Sequence, residues 1–286
     1  MPSRAGRRPE HPTSDSPQLT AAGRVLAVLE AFAPEHPSLS LTEISRRSGL
    51  TMPTTHRLVG ELRSWGALER DAQGRYAVGI RLLELTALAP RGLQLRELAQ
   101  PYLDDLHHAT RANVHLAVRD GNEAVYIESL RARGGAEVLS RLGGRWPLHA
   151  TGTGQVLLAH ASADDQEEVL SSPLTRFTEH TIVDPQVLRG FLADVRNLGV
   201  AIAESHITPG VMAVAAPIRG DRDDVVAALG LTVNQQGTNA HSLVPVLNAT
   251  TRGISRALGA PSTMPRRDTT RRGLVPPQRR PPRGAG

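Results

Sequence analysis

The chain has 286 residues, with 33 basic residues that are all arginine, 28 acidic residues and no cysteine. That length suits one large or two modest domains. The missing cysteines exclude a disulfide scaffold, a thiolate-ligated metal and a thiol nucleophile, and the missing lysines exclude Schiff-base chemistry and a Walker-type phosphate loop.

Two Trp, three Tyr and three Phe are too few for a stacking platform on single-stranded nucleic acid. The net charge of +5 is unevenly spread: residues 261–286 hold seven arginines against one acid, so this Arg/Pro-rich tail carries more than the whole excess. It contains Arg266-Arg267, Arg271-Arg272 and Arg279-Arg280 among prolines and reads as disordered, with a loose electrostatic hold on DNA as the functional alternative. Residues 1–17, rich in Pro, Ser and Arg, read as a disordered arm. The start has no apolar signal core and no run of about 18 apolar residues occurs anywhere, so a soluble cytoplasmic protein without a membrane partner is expected.

From Leu19, apolar residues at Leu19, Ala22, Val25, Leu26, Leu29, Phe32 and Ala33 follow a helical period that Pro34 and Pro37 end. A short second helix is predicted over 42–48, capped by Thr42, with Ile44 inward and Gly49 making the turn. A third runs from Met52 to Trp65 with Pro53 in its first turn. At about 100° per residue, Leu58, Leu62 and Trp65 form its inward stripe, with Thr54 and Thr55 on the shoulders. Pro53, His56, Gly60 and Arg63 face outward, flanked by Met52 and Arg57.

That narrow polar arc suits a helix in a DNA major groove, where Arg and His donate to base edges and Thr reaches phosphates or a thymine methyl. Strands at 67–70 and 75–78 around the turn Asp71-Ala72-Gln73-Gly74 read as a wing that brings Arg70 and Arg75 to the phosphate backbone. Residues 18–79 are therefore expected to be a winged helix-turn-helix. Thr42, Pro53, Thr54, Thr55, His56, Arg57, Arg63, Arg70 and Arg75 are its candidate DNA contacts.

Residues 80–91 read as a linker helix, followed by an amphipathic helix from Leu93 to Thr110 bent at Pro101. Alternating strands are predicted at 113–119 and 124–130 around Asp120-Gly121-Asn122, with a third strand at 137–142. Next comes Gly143-Gly144-Arg145-Trp146-Pro147-Leu148-His149-Ala150-Thr151-Gly152-Thr153-Gly154-Gln155, then an apolar helix from Val156 to His160. Unpaired amides at such a helix start suit a small anion such as a carboxylate.

Two stretches of the chain resemble the IclR family of bacterial transcriptional regulators. The first runs from Gly49-Leu50-Thr51-Met52-Pro53-Thr54-Thr55-His56-Arg57-Leu58 through Trp65-Gly66-Ala67-Leu68 to Gly74-Arg75-Tyr76 and Gly79. The second is Pro147-Leu148-His149-Ala150-Thr151, joined by Asn197-Leu198-Gly199, Pro209-Gly210-Val211 and the strand 226–232. The resemblance covers residues 19 to about 258. It implies an α+β protein: an amino-terminal winged helix-turn-helix and, over residues 92–260, a GAF-like α/β effector domain with an antiparallel sheet.

Carried over position by position, the resemblance implies Gly152, Thr153, Ala203, Ala213, Gly230 and Thr232 as effector contacts. It implies double-stranded DNA with a pseudo-palindromic operator, a small-molecule effector and self-association into dimers or tetramers as partners. Repression is the commoner role in the family. An activator whose pocket has degenerated to an oligomerisation surface is the alternative. Gln155 replaces the family's usual lysine, and Ala203 and Ala213 make the implied pocket more apolar than those that take small ketoacids.

No catalytic residue, metal or cofactor is expected. Eleven histidines occur without HxxxH or HExxH spacing, His107 and His108 point about 100° apart, and no GxSxG elbow appears. His115, His149 and His206 are left as histidines that converge only if the fold brings them together. The acidic pairs at 104–105, 164–165, 167–168 and 223–224 read as solvated faces, and an enzyme acting on a small metabolite is a remote alternative.

Overall fold

A computed structural model describes residues 19–33, 35–86, 88, 92–136 and 141–263. The chain divides into two compact units, residues 1–90 and 91–286. The predicted disordered arm, nearly all of the tail, and Pro34, Pro90 and Arg91 lie outside the described residues. Pro261–Thr263, expected in the tail, form a 3-10 turn instead.

The first unit begins with α1 (Ala21–Glu30), whose cap Thr20 accepts from the Gly23 amide at 3.0 Å. Its buried side centres on Val28 and is continued by Ala31, while Leu19 and Leu26 are exposed, so the inward stripe is rotated from the one expected. A two-residue strand, β1 (Ser38–Leu39), follows and was not anticipated. The cap of α2 (Leu41–Ser48) is Ser40 rather than Thr42. Ser40 Oγ accepts from the Glu43 amide and the Glu43 carboxylate accepts from the Ser40 amide at 2.7 Å, a reciprocal pair that needs a glutamate three residues after the cap.

Gly49, at φ +70°, turns the chain into α3 (Met52–Trp65). Strands β2 (Leu68–Arg70) and β3 (Tyr76–Val78) form the expected hairpin, and β1 pairs with the free side of β3 to make a three-stranded antiparallel sheet. The expected linker helix is described over α4 (Arg81–Thr86), and residues 87 and 89–91 lie outside the described residues.

In the second unit, α5 (Leu93–Thr110) includes Pro101 as predicted. Strands β4 (Asn113–Asp120) and β5 (Glu123–Leu130) pair antiparallel. Of the strand expected at 137–142, residues 137–140 lie outside the described residues and Arg141 and Leu142 are not strand; β6 (Arg145–Pro147) pairs with β5.

Then come α6 (Gly152–Ala159), α7 (Ala163–Ser171), α8 (Pro185–Leu198), β7 (Ala201–Glu204), β8 (Val211–Arg219), β9 (Val225–Asn234) and α9 (Ala240–Ala257). The sheet order is β6-β5-β4-β9-β8-β7, antiparallel throughout.

Strand alternation divides two apolar cores across this sheet. Val114, Leu116, Val214, Leu229 and Leu231 pack with α5 and α9. Ala117, Ala124, Ala201, Ala215 and Ala228 face α6 and α8. The α6 side is built from small residues, and that allows the helix to lie close: a Cβ on Gly230 would come within 2.8 Å of Thr153 Cγ2. All eight residues of α6 are buried as a result.

Candidate functional site

Helix α3 presents Met52, Pro53, His56, Arg57, Gly60, Glu61 and Arg63 to solvent on one side and buries Thr55, Leu58, Val59 and Leu62 on the other. Thr55 therefore leaves the set of DNA candidates: it is fully buried, and its hydroxyl donates to the Thr51 carbonyl at 3.0 Å. Thr54 is half-buried and accepts from the Thr51 hydroxyl. Thr42 is exposed on the first turn of α2.

Trp65 leaves the inward stripe. It is 40% exposed, with the Arg81 guanidinium 4.5 Å above its ring and donating to its carbonyl. The two wing arginines are engaged within the protein. Arg75 donates to the Ser38 carbonyl at 2.6 Å and pairs with Glu43, so it ties the hairpin to β1 and α2 rather than reaching outward. Arg70 is exposed, lies over Tyr76 and donates to the Gly74 carbonyl. Among the described residues, Arg57 is held only by an exposed i,i+4 pair with Glu61. Sequence reasoning passed over Arg46, exposed in the last turn of α2.

Gly60 has no packing reason to be glycine, since a Cβ there would meet no atom within 4 Å. A glycine costs a helix interior about 1 kcal/mol relative to alanine, and Gly60 lies on the exposed side of α3. Gly60→Ala is expected to raise the unit's stability by about 0.5–1 kcal/mol in urea unfolding while weakening operator binding in a gel shift.

The six positions implied for the effector come together. Gly152, Thr153, Ala203, Ala213, Gly230 and Thr232 all line one pocket between the start of α6 and the sheet. Its cavity volume of about 60 Å³ leaves room for roughly four or five water-sized groups. Helix α6 starts four residues earlier than predicted and is capped by Thr151, whose hydroxyl accepts from the Gly154 amide at 3.0 Å while its carbonyl accepts from Gln155. The Gly152 and Thr153 amides lie ahead of these bonds at the positive end of the helix.

Tyr126 and Trp146 add aromatic walls to the pocket, and Thr153 donates to the Tyr126 hydroxyl at 3.3 Å. His206, Ile207 and Thr208 close another side. That segment is held by Thr178, which donates to the Ser205 carbonyl, and by Thr181, which donates to the His206 carbonyl. Gln155 donates to the His149 carbonyl and to His206 Nδ1.

Of the three histidines left open, His115 and His206 meet in the pocket, whereas His149 turns its Nε2–H to the Thr175 carbonyl. No group of three metal-ligating side chains occurs among the described residues. No helix among them is long and apolar enough to cross a membrane.

Burial pushes the His115 imidazole down to about 4, helped by the Arg131 charge, and burial pushes His206 to about 4, helped by His180 and His149. Unfolded, both rings return toward 6.5 and take up protons before the folded ones do. Stability is therefore full above about 6.5, falls as pH drops through that value, and the loss levels off near 4. At roughly 1.4 kcal/mol per pKa unit, His115 accounts for on the order of 3 kcal/mol of the loss. Urea midpoints followed across this window should fall in the wild type and fall less in His115→Gln.

The comparisons with known proteins agree with both halves of this geometry. Residues 21–72 match the IclR helix-turn-helix domain, and residues 88–256 match the domain described as Bacterial transcriptional regulator IclR C-terminal. The chain is 31% identical over 251 residues to the HTH-type transcriptional regulator XynR of Escherichia coli (strain K12), covering 86% of this chain and 100% of that protein. It is 30% identical over 262 residues to the HTH-type transcriptional repressor AllR of Klebsiella pneumoniae, covering 90% and 96%.

Among solved structures, an IclR homolog from Microbacterium hydrocarbonoxydans complexed with 4-hydroxybenzoate is similar at TM-score 0.79 and 35% identity, over 82% of this chain and 97% of that one. The Thermotoga maritima IclR is similar at TM-score 0.70 and 26% identity, over 82% and 97%. Fold and site thus define a DNA-binding transcriptional regulator with a helix-turn-helix ahead of a C-terminal effector domain. Within that class, the chain belongs to the IclR family.

Proposed function

We propose that this regulator is a cytoplasmic repressor that binds a pseudo-palindromic operator as a dimer or tetramer and responds to a small organic carboxylate in the α6 pocket. The observation that carries the reading is the convergence of Gly152, Thr153, Ala203, Ala213, Gly230 and Thr232 on one pocket at a helix start. The carboxylate sits against the Gly152 and Thr153 amides, where the helix end favours negative charge. The ligand body rests on Ala203, Ala213 and the GAF-like sheet, and Thr232 supplies a further polar contact. The Microbacterium hydrocarbonoxydans relative solved with 4-hydroxybenzoate supports an aromatic acid of that size as a first candidate.

The domain performs no turnover in this reading.

DNA from upstream of the protein's own gene tests the first half: the full-length protein should retard it in preference to a scrambled duplex, and a deletion strain should raise a reporter driven by it. A thermal-shift series with small carboxylates tests the second half. Equal retardation of both duplexes, or lowered reporter output on deletion, would remove the repressor reading.

A further inference from the structure

His115 sits in the middle of β4, opposite Ser129 on β5 and Gly230 on β9, with its side chain on the α6 face of the sheet. It is 2% exposed. Its Nδ1 is 3.1 Å from Ser129 Oγ, and its Nε2 is buried with no hydrogen-bond partner among the described residues. A fully buried polar atom without a partner costs about as much as a lost hydrogen bond, so such an atom lining a pocket marks a contact that a ligand completes.

The bond to Ser129 leaves two tautomers open. If Nδ1–H donates to Ser129, Nε2 is an acceptor and needs a donor; if Ser129 donates, Nε2–H needs an acceptor. A carboxylate or ether oxygen satisfies only the second and an ammonium only the first. A hydroxyl satisfies either. The adjoining ring of Tyr126, with centroids 5.3 Å apart, holds the imidazole in place.

We propose that His115 is a specificity-determining residue of the pocket, and that the effector is a hydroxy acid whose carboxylate meets the α6 amides and whose hydroxyl bonds His115 Nε2. This rests on the carboxylate-binding reading above and adds the second polar group to it. The neutral state of the ring, maintained by burial, keeps this contact a plain hydrogen bond and not a charge pair.

The test is titration calorimetry on the full-length protein with matched probes: 4-hydroxybenzoate, benzoate and 4-methoxybenzoate, and separately lactate and propionate. Wild type should bind the hydroxylated member of at least one set about tenfold to a hundredfold more tightly than its unhydroxylated partner. In His115→Phe that ratio should collapse toward one, with the unhydroxylated acid binding about as well as before, and His115→Gln should keep part of the preference.

A preference unchanged in His115→Phe, or no preference for a hydroxyl in wild type, overturns the role of His115 while leaving the carboxylate pocket standing. Failure of every acid to bind wild type overturns the pocket reading, and this proposal with it. If the phenylalanine variant does not fold, His115→Gln takes its place: a reduced hydroxyl preference supports the role, and a preference as large as in wild type overturns it.

Discussion

Replacing Gly154 with alanine is expected to destabilise the effector domain by about 3 kcal/mol or more and to abolish binding of any carboxylate. A Cβ at this position would lie 2.6 Å from the Leu148 carbonyl oxygen, 2.7 Å from Thr151 Oγ1 and 2.8 Å from Leu148 Cα. Two of these are backbone atoms of the turn that carries the chain under α6, so no side-chain rotation relieves the overlap. The helix has to lift, and lifting it breaks the Thr151 cap and separates the Gly152 and Thr153 amides from the sheet residues across the pocket. Gly190 in α8 is the control: a Cβ there meets nothing within 4 Å, and alanine should be neutral or stabilising by about 0.5–1 kcal/mol. Urea unfolding of the two variants measures the contrast.

Arg57→Ala is expected to weaken binding to the operator by about 1–3 kcal/mol, a fivefold to 150-fold loss, in a gel shift on the upstream DNA. In the free protein Arg57 is paired with Glu61, with both side chains more than half exposed. An exposed i,i+4 pair contributes only about 0.3–0.5 kcal/mol, so the guanidinium leaves it at little cost when a base edge or phosphate is offered. Arg75→Ala should behave differently. Its partners are the Ser38 carbonyl and Glu43, so it should lower the unit's unfolding midpoint and leave the salt dependence of DNA binding nearly unchanged. Unchanged operator affinity in Arg57→Ala would take Arg57 out of the readout.

These contrasts show where sequence reasoning reaches and where it stops. The span of α3 is legible because Gly49, Pro53 and Gly66 punctuate it, and β4 and β5 are legible from their alternation and the turn at Gly121. Which side of α3 is buried at its margins is not, because Thr55 is covered by packing within the unit and Trp65 is drawn out by Arg81 from the following helix. Arg75 turns inward because of β1, a strand of two residues that carries no periodic signal. The six effector positions were reached through family resemblance. Alternation alone places Ala213, Gly230 and Thr232 on one face of the sheet, but that this face meets α6 is a tertiary fact. His115 had a signal, a polar side chain between Val114 and Leu116 in a buried strand, yet only the fold shows that its Nε2 has no partner among the described residues.

The central claim is that the pocket and the DNA-reading surface of α3 act in one molecule, and titrating operator complexes of the full-length protein with 4-hydroxybenzoate and the other small acids tests it most directly. The account predicts that an acid which stabilises the protein also shifts its operator affinity, by about 1–3 kcal/mol or fivefold to 150-fold, with no such shift in Gly154→Ala. An acid that binds the pocket at saturation and leaves operator affinity unchanged would contradict it.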